Sequence, residues 1–165
     1  MSQTTSGGST DLLRVLGEKI GTMMINSLLY VSRSALRMDA DGSDIEDILA
    51  VARPRNQSLE VTGALIFTND NFAQLLEGPA DAIDQLMVSI GRDPRHKDVR
   101  TVREEKDVTR RFDGWHMAYN GSSIFIARHV RVLAASFDAP SQAHAARLME
   151  LMTSLSRGET GDLPI

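Results

Sequence analysis

The sequence predicts an α+β domain: a β-sheet that carries two helices on one face. Stretches rich in aliphatic, β-branched and aromatic residues, which favour strands, alternate with stretches whose apolar residues recur at helical spacing. Near the middle, turn-forming residues at 68–71 separate two strand-like stretches, which predicts a β-hairpin. From residue 27 to residue 119 the order is strand, helix, strand, strand, helix, strand, strand. This βαββαββ order is ferredoxin-like, and we expect an N-terminal helix and two C-terminal helices to flank it.

The N-terminal part of the chain is predicted to lie outside this sheet. Residues 1–10 are rich in Ser, Thr and Gly, so we expect a disordered tail. Residues 11–25 have apolar residues at helical spacing, interrupted by Gly17 and Gly21, and are predicted to form a helical extension. The first strand follows at 26–33 and places Leu28 and Tyr30 on one face.

Ser43 and Glu46 form a capping-box pattern that predicts the start of the first sheet-covering helix. Its apolar stripe includes Ile48. Pro54 is expected to end this helix, because the residue before a proline disfavours helical geometry. Residues 55–60, with Asn56, are therefore predicted to be a loop.

The hairpin strands are predicted at 61–68 and 71–78, and the second contains an unusual amide. Gln74 shares a face with Phe72 and Leu76, which lie two residues to either side. A buried carboxamide must find partners for its donors and acceptor or lose about 1 to 3 kcal/mol for each unpaired group. Gln74 is therefore either a satisfied structural amide or a group that binds a polar ligand.

A second helix is predicted after Pro79, with Ile90 on its buried stripe and an end at Asp93 and Pro94. Strands are predicted at 99–104 and at 115–119, and helices at 124–136 and 141–156. The sheet domain is accordingly assigned to 26–120, a C-terminal helical extension to 121–157 and a polar tail to 158–165.

Composition limits the possible functions. The chain has 165 residues, enough for one domain with extensions, and a net charge of -4, which gives no general attraction to nucleic acid. Basic residues between 92 and 111 are interleaved with acidic ones, as on a solvated surface. Cysteine is absent, so thiol chemistry is excluded. Because no signal-peptide pattern or long apolar stretch occurs, we expect a cytoplasmic protein without a membrane partner.

No motif for hydrolysis or metal binding emerges. The glycines do not form a phosphate-binding loop, no Gly-x-Ser-x-Gly motif occurs, and the four histidines are far apart in sequence. The residues that stand out are Tyr30, Gln74, Asn56, Trp115 and Met117. Their phenol, amide and indole groups suit a redox-active aromatic ligand in a slot between the two helices, although Tyr30 and Trp115 could also be ordinary core aromatics.

Five separated stretches resemble the signatures of the BLUF family, blue-light sensors that use FAD. They are LLYVS at 28–32, TGAL at 62–65 with Asn56 six residues before it, FAQLLEG at 72–78, DPRH at 93–96 and FDGWHM at 112–117. They occur in order with fitting spacings across residues 27–119, so the resemblance is specific. One departure is Ala52, where some members carry a serine four residues before the flavin-binding Asn.

The resemblance implies a photochemical role for Tyr30, as electron and proton donor, and for Gln74, as the switching amide. Other positions match residues that bind the flavin or relay the signal. The implied cofactor-binding set is Tyr30, Asn56, Gln74, Ile48, Ile90, Asp93 and His96, and the implied relay residues are Trp115 and Met117.

The resemblance also implies a light-switched hydrogen bond in place of substrate turnover. The altered Gln74 would donate to the flavin C4 carbonyl, shift the absorption band to the red and bias the last strand and the helices that follow. We therefore expect a photosensory flavoprotein without a catalytic effector domain, which binds FAD, FMN or riboflavin and signals through a homo-oligomer or a protein partner. The alternatives are a light-independent interaction module and an acylphosphatase-like hydrolase using Arg55 and Asn56.

Overall fold

The structure is a computed structural model and describes residues 24–36, 43–68, 70–106, 108–121, 124–136 and 139–156. The predicted tails at 1–10 and 158–165 lie outside these residues, as does the predicted N-terminal helix except for its end. The last two residues of that helix, Met24 and Ile25, are described and have no regular secondary structure.

The predicted α+β class is confirmed, with the elements in the expected order. The strands are β1 (Asn26–Ser34), β2 (Thr62–Thr68), β3 (Asn71–Gly78), β4 (His96–Glu105) and β5 (Ala118–Gly121). The helices are α1 (Ser43–Ser58), α2 (Ala80–Arg92), α3 (Ile124–Ala135) and α4 (Gln142–Ser156). None of the helices in the described part of the chain is long and apolar enough to span a membrane.

The strands form one sheet in the order β4-β1-β3-β2-β5. Neighbouring strands are antiparallel except β2 and β5, which are parallel. In the centre of the sheet Gln74 pairs with Tyr30 on one side and with Leu65 on the other. Because paired residues of neighbouring strands point to the same face, this register brings the three side chains together.

The two faces of the sheet are covered by different helices. On one face Tyr30 and Leu65 join a core with residues of α1 and α2, such as Ile48 and Leu86. On the other face the alternate residues of the strands pack against α3 and α4. The C-terminal helices therefore bury the back of the same sheet whose front faces α1 and α2.

The prediction that Pro54 ends the first helix was wrong. Helix α1 continues through Pro54 to Ser58, so Asn56 lies in its last turn and not in a loop. A proline inside a helix loses one backbone hydrogen bond, but contacts made by this turn offset the loss. The Asn56 carbonyl accepts hydrogen bonds from the amides of Val61 and Leu59, and the Asn56 side chain donates to His116 O.

The prediction of a strand at 115–119 was also wrong in its position. Strand β5 begins at Ala118, and Trp115 and Met117 lie in the preceding loop. The reason is that carbonyls of this loop are bonded to side chains of α1: the carbonyl of His116 accepts from Asn56 Nδ2, and that of Met117 from Arg53 Nε. These bonds between side chain and backbone hold the loop outside a regular strand pairing.

Gly63 in β2 is required by a close approach of the next strand. A Cβ atom at this position would lie 2.0 Å from the carbonyl oxygen of Leu75 in β3. The Gly63 amide also donates to Trp115 O at 2.9 Å, which attaches the loop before β5 to the sheet. Any side chain here would push β2 and β3 apart.

Helices α3 and α4 are also joined to each other and to β4 by polar contacts. The Arg100 guanidinium of β4 donates to the carbonyls of Leu133 and Ala134 near the C-terminus of α3, where a cation is favoured. His129 of α3 and His144 of α4 face each other with their Nδ1 atoms 2.9 Å apart.

The packing of α4 on the sheet gives a stability prediction. Leu148 is fully buried in the back core, so Leu148→Ala should lower the free energy of unfolding by about 2 to 5 kcal/mol. The matched control is Arg147→Ala, at the neighbouring exposed residue of α4, which should change the free energy of unfolding by less than about 1 kcal/mol. Urea unfolding of both variants measures the difference, and equally small effects would contradict the packing of α4 on the sheet.

Candidate functional site

A cleft lies between α1 and α2 on the front of the sheet and is partly open to solvent. Its walls come from both helices, its floor from β1, β2 and β3, and one end from the residues that follow α2. All seven predicted cofactor-binding residues line it. They are Tyr30, Ile48, Asn56, Gln74, Ile90, Asp93 and His96.

The polar centre of the cleft is a hydrogen bond between Tyr30 and Gln74. The Tyr30 hydroxyl donates to Gln74 Oε1 at 2.6 Å, and both side chains are buried. The bond follows from the pairing of β1 with β3, which places the two residues opposite each other. It uses the phenolic proton and orients the carboxamide.

The other end of the Gln74 amide contacts the loop before β5. Gln74 Nε2 donates to Met117 Sδ at 3.2 Å, and Met117 is only 4% exposed. Trp115, two residues earlier, is 51% exposed and does not line the cleft. Of the two predicted relay residues, Met117 therefore contacts Gln74, whereas Trp115 lies at the surface.

Asn56 is buried beside the cleft, with one half of its carboxamide engaged. Its Nδ2 atom donates to His116 O at 2.8 Å, across to the loop before β5. Within the described residues its Oδ1 atom makes no hydrogen bond, so this oxygen can accept an N–H of a ligand.

Electrostatics keep Tyr30 protonated. Burial, and to a smaller extent the negative charge of Asp93, raise the pKa of the phenol well above its usual value. The pKa of Asp93 is lowered, chiefly by hydrogen bonds from the Arg95 guanidinium, against the opposing effect of burial. Arg95 binds both carboxylate oxygens of Asp93, at 2.6 Å from Nη2 and at 3.0 and 3.1 Å from Nε. Arg95 thus holds the negatively charged Asp93 carboxylate in place at the end of the cleft.

His96 begins β4 and is held against the floor of the cleft. Its Nδ1 atom lies 2.8 Å from Ser32 Oγ, and its ring packs on Phe72 with centroids 4.4 Å apart. Burial lowers its pKa to about 4, the charge of Asp93 opposes this shift, and the charge of Arg95 adds to it. The imidazole is therefore neutral at pH 7.

Several residues that shape the cleft were missed from the sequence. Ser32, the partner of His96, could be found only once β4 was placed beside β1, whereas Arg95 bonds to Asp93 just two residues earlier in the chain. The exposed Arg55 guanidinium of α1 donates to Ser89 Oγ of α2 at 2.6 Å and bridges the two walls. Arg55 and Asn56 thus reach different partners, so the structure gives no support to an acylphosphatase-like anion site. Among the residues that the structure describes, no three or more His, Cys, Asp or Glu side chains are grouped as in a metal site.

Comparison with known proteins identifies the family. Residues 25–118 match the family model described as "BLUF: Sensors of blue-light using FAD". The chain belongs to the BLUF family. It is similar to the solved BLUF protein BlrB in its dark state, with 30% sequence identity and a TM-score of 0.66 over 83% of this chain and 99% of that one.

Curated relatives match about half of the chain. The antirepressor BluF of Escherichia coli, regulated by blue light and temperature, is 36% identical over 89 residues, which is 54% of this chain and 22% of that protein. The photoactivated adenylate cyclase subunit beta of Euglena longa is 40% identical over 82 residues, which is 50% of this chain and 9% of that protein. The chain thus spans less than a quarter of these two relatives.

The cleft of this BLUF domain fits a flavin by its chemistry. Apolar side chains such as Ile48 and Ile90 suit the faces of a flat ring, whereas the amides of Asn56 and Gln74 suit its polar edge. Arg55 and Arg95, which also line the cleft, suit a phosphate-bearing tail.

The lowered pKa of His96 predicts a loss of stability in mild acid. An unfolded histidine titrates near pH 6.5, so between about pH 6.5 and 4 the unfolded chain binds a proton that folded His96 does not. This contribution to stability is fully present above pH 6.5 and is lost as pH falls, by about 2 kcal/mol between pH 7 and 5.

Urea unfolding at both pH values checks this prediction against His96→Asn, whose amide can still reach Ser32. The wild-type protein should lose about 2 kcal/mol more than the variant, because the variant lacks this proton-binding group. Equal losses would show that another group carries the pH dependence.

Proposed function

We propose that this protein is a blue-light photoreceptor in which the Tyr30–Gln74 pair reads the excitation of a flavin bound in the cleft. The observation that carries the proposal is the buried 2.6 Å bond from the Tyr30 hydroxyl to Gln74 Oε1, two residues that line the cleft between α1 and α2. The Gln74 amide also contacts Met117, so a change in the orientation of the amide would alter a contact outside the cleft.

The proposed cofactor is FAD, with FMN and riboflavin as shorter forms that the same ring site would accept. Ile48 and Ile90 would enclose the ring, and Asn56 Oδ1 would accept a hydrogen bond from its polar edge. His96 and the Asp93–Arg95 pair would border the ribityl chain, and the exposed Arg55, which also lines the cleft, would bind the phosphate. Bound flavin supplies the absorption of blue light and an excited state that accepts an electron.

In this proposal Tyr30 is the donor of the electron and of a proton. Its raised pKa keeps the phenol protonated before illumination. The short bond gives the proton a direct path from the phenolic oxygen to Gln74 Oε1. When electron and proton return to Tyr30, the chemical composition of the site is restored, and only the orientation or tautomer of the Gln74 amide is changed.

Rotation of the amide would exchange the positions of Oε1 and Nε2. Tyr30 would then accept a hydrogen bond from Nε2, and Oε1 would face Met117 Sδ. Since amide oxygen and thioether sulfur are both acceptors, the contact between Gln74 and Met117 would be lost. The released loop continues directly into β5 and then into α3, which gives the signal a path to the back of the sheet.

The output is proposed to be a change in protein association and not a reaction of this domain itself. A homo-oligomer or a downstream protein could respond to movement of β5, α3 and α4. The names of the two curated relatives describe a blue light- and temperature-regulated antirepressor and a photoactivated adenylate cyclase, so light responses in these relatives belong to proteins with different outputs. The absence of a catalytic effector, the lack of a nucleic-acid or membrane partner and the cytoplasmic location stay predictions.

Substitution of the proposed donor tests the first step. Tyr30→Phe removes the phenolic hydroxyl but keeps the ring that packs in the core, so flavin should remain bound and the light-induced red shift should disappear. Stability should fall by about 1 to 3 kcal/mol, because Gln74 Oε1 loses its partner. Absorption spectra before and after blue light measure the shift, and a normal shift in this variant would exclude Tyr30 as donor.

Substitution of the proposed switch tests the second step. Gln74→Leu keeps the size of the side chain but cannot form or exchange hydrogen bonds, so the red shift should be absent while flavin is retained. Gln85→Leu, at an exposed position of α2, is the matched control and should shift as wild type does. If the shift persisted in Gln74→Leu, a different group would have to be the switch.

A further inference from the structure

The segment 110–117 runs from the back of the sheet to its front and is attached to β3 near both of its ends. Phe112 is buried in the back core with α3 and α4, whereas Met117 is buried in the front core beside the cleft. The two attachment points on β3 are Glu77 and Gln74, three residues apart and therefore on opposite faces. The segment thus connects a residue packed against the helices behind the sheet with a residue packed beside the cleft.

The attachment at Glu77 is ionic, multiple and buried. The Glu77 side chain has no solvent exposure. Its Oε2 atom accepts hydrogen bonds from the backbone amides of Arg111 at 2.8 Å and Phe112 at 3.1 Å, and Oε1 accepts from Arg111 Nη1 at 3.2 Å. Hydrogen bonds to an ionised acceptor are roughly twice as strong as neutral ones, and a buried carboxylate that loses its partners is costly.

A second set of contacts reinforces this attachment. Arg110 Nη1 donates to the Glu77 carbonyl at 2.6 Å and to Thr62 Oγ1 at 2.8 Å. The Arg111 guanidinium also pairs with Glu105 at the end of β4. Burial lowers the pKa of Arg111, but its hydrogen bonds to Glu105 and Glu77 outweigh this and raise it. Residues 110–112 are therefore bound to β2, β3 and β4 together.

At the other end the segment has one weak contact with β3, whereas other polar contacts of this end go to α1 and β2. The Asn56 and Arg53 side chains donate to the carbonyls of His116 and Met117, and the Gly63 amide donates to the carbonyl of Trp115. The Gln74 side chain holds Met117 by a hydrogen bond to a thioether sulfur, which is a poor acceptor. Between the two attachments lies the exposed turn at Asp113 and Gly114, where Gly114 has a φ of 75°, a conformation that suits glycine. The Trp115 amide donates to the Phe112 carbonyl across this turn at 2.9 Å, so the turn separates the end bound to Glu77 from the end bound to Gln74.

We propose that Glu77 is a positioning residue for the switch: its buried carboxylate fixes residues 111 and 112 to β3, so that only the Met117 end moves when Gln74 changes its hydrogen bonds. Without this fixed end, the whole segment would shift when Gln74 changes its hydrogen bonds, and the displacement would not be directed to β5. The inference rests on the proposed function for its light-dependent part, whereas the fixed attachment itself is a property of the protein in darkness.

Hydrogen exchange followed by NMR, together with the fluorescence of Trp115, tests the proposal. Trp115 is the single tryptophan of the chain and lies between the turn and Met117. In the wild-type holoprotein the amides of Arg111 and Phe112 should stay protected in darkness and under blue light, while the amide of Met117 exchanges faster and Trp115 fluorescence changes under blue light. Equal loss of protection at residues 111, 112 and 117 in light would overturn the proposal without any variant.

Glu77→Gln keeps the shape of the side chain but removes its charge and one acceptor. The amides of Arg111 and Phe112 should then exchange at least about tenfold faster in darkness, the change that corresponds to about 1.4 kcal/mol. The red shift should remain, because Tyr30 and Gln74 are unchanged, but the light-induced change in Trp115 fluorescence should be lost. Glu104→Gln, at an exposed position of β4, is the matched control and should behave as wild type does.

The possible results separate the two proposals. If the wild-type protein showed no red shift, the proposed function would fail, while faster dark exchange in Glu77→Gln would still establish the attachment. A Glu77→Gln variant that kept both slow exchange at 111 and 112 and the full Trp115 response would refute the positioning role. If Glu77→Gln did not fold, the wild-type exchange measurement alone would decide.

Discussion

The site depends on the hydrogen bond between Tyr30 and Gln74, and the register of two strands determines that bond. Strand β1 pairs with β3 so that the phenol and the carboxamide lie opposite each other on the front face. A shift by one residue would turn one of them to the back of the sheet. The apolar residues that alternate with them, such as Leu29 and Leu75, are buried against α3 and α4 and oppose such a shift. The back core thus maintains the geometry of the cleft.

Helices α3 and α4 are consequently part of the hydrophobic core of the light-sensing domain. The family match ends at residue 118, yet α3 and α4 complete the core on the other side of the same sheet. The change proposed at Gln74 would therefore reach them through the sheet that they cover, by altering how the loop before β5 and the strand itself pair with β2.

Local patterns predicted the fold, whereas the lining of the cleft was predicted chiefly by the resemblance to the BLUF family. Alternation along β1 and β3 allowed Tyr30 and Gln74 to share one face, and helical spacing put Ile48 and Ile90 on the buried stripes of their helices. The errors arose where tertiary contacts override local preference. The helix passes through Pro54 because Asn56 and Arg53 bind the loop before β5, and that loop leaves the strand conformation for the same reason. Before the fold was known, neither the contact of Asn56 nor that of Arg53 with this loop could be recognised. The contacts of Glu77 likewise required that residues 111 and 112 be placed beside the end of β3.

Part of the sequence signature around the hairpin has a steric origin that is separate from photochemistry. At Gly63 the carbonyl of Leu75 occupies the space where a side chain would begin. If the hairpin were randomised and selected only for a folded product in complete darkness, glycine would still be recovered at this position. A motif that identifies the family can thus reflect how closely two backbones approach each other. Its presence in a distant homologue would therefore indicate the same fold before it indicated a coloured cofactor.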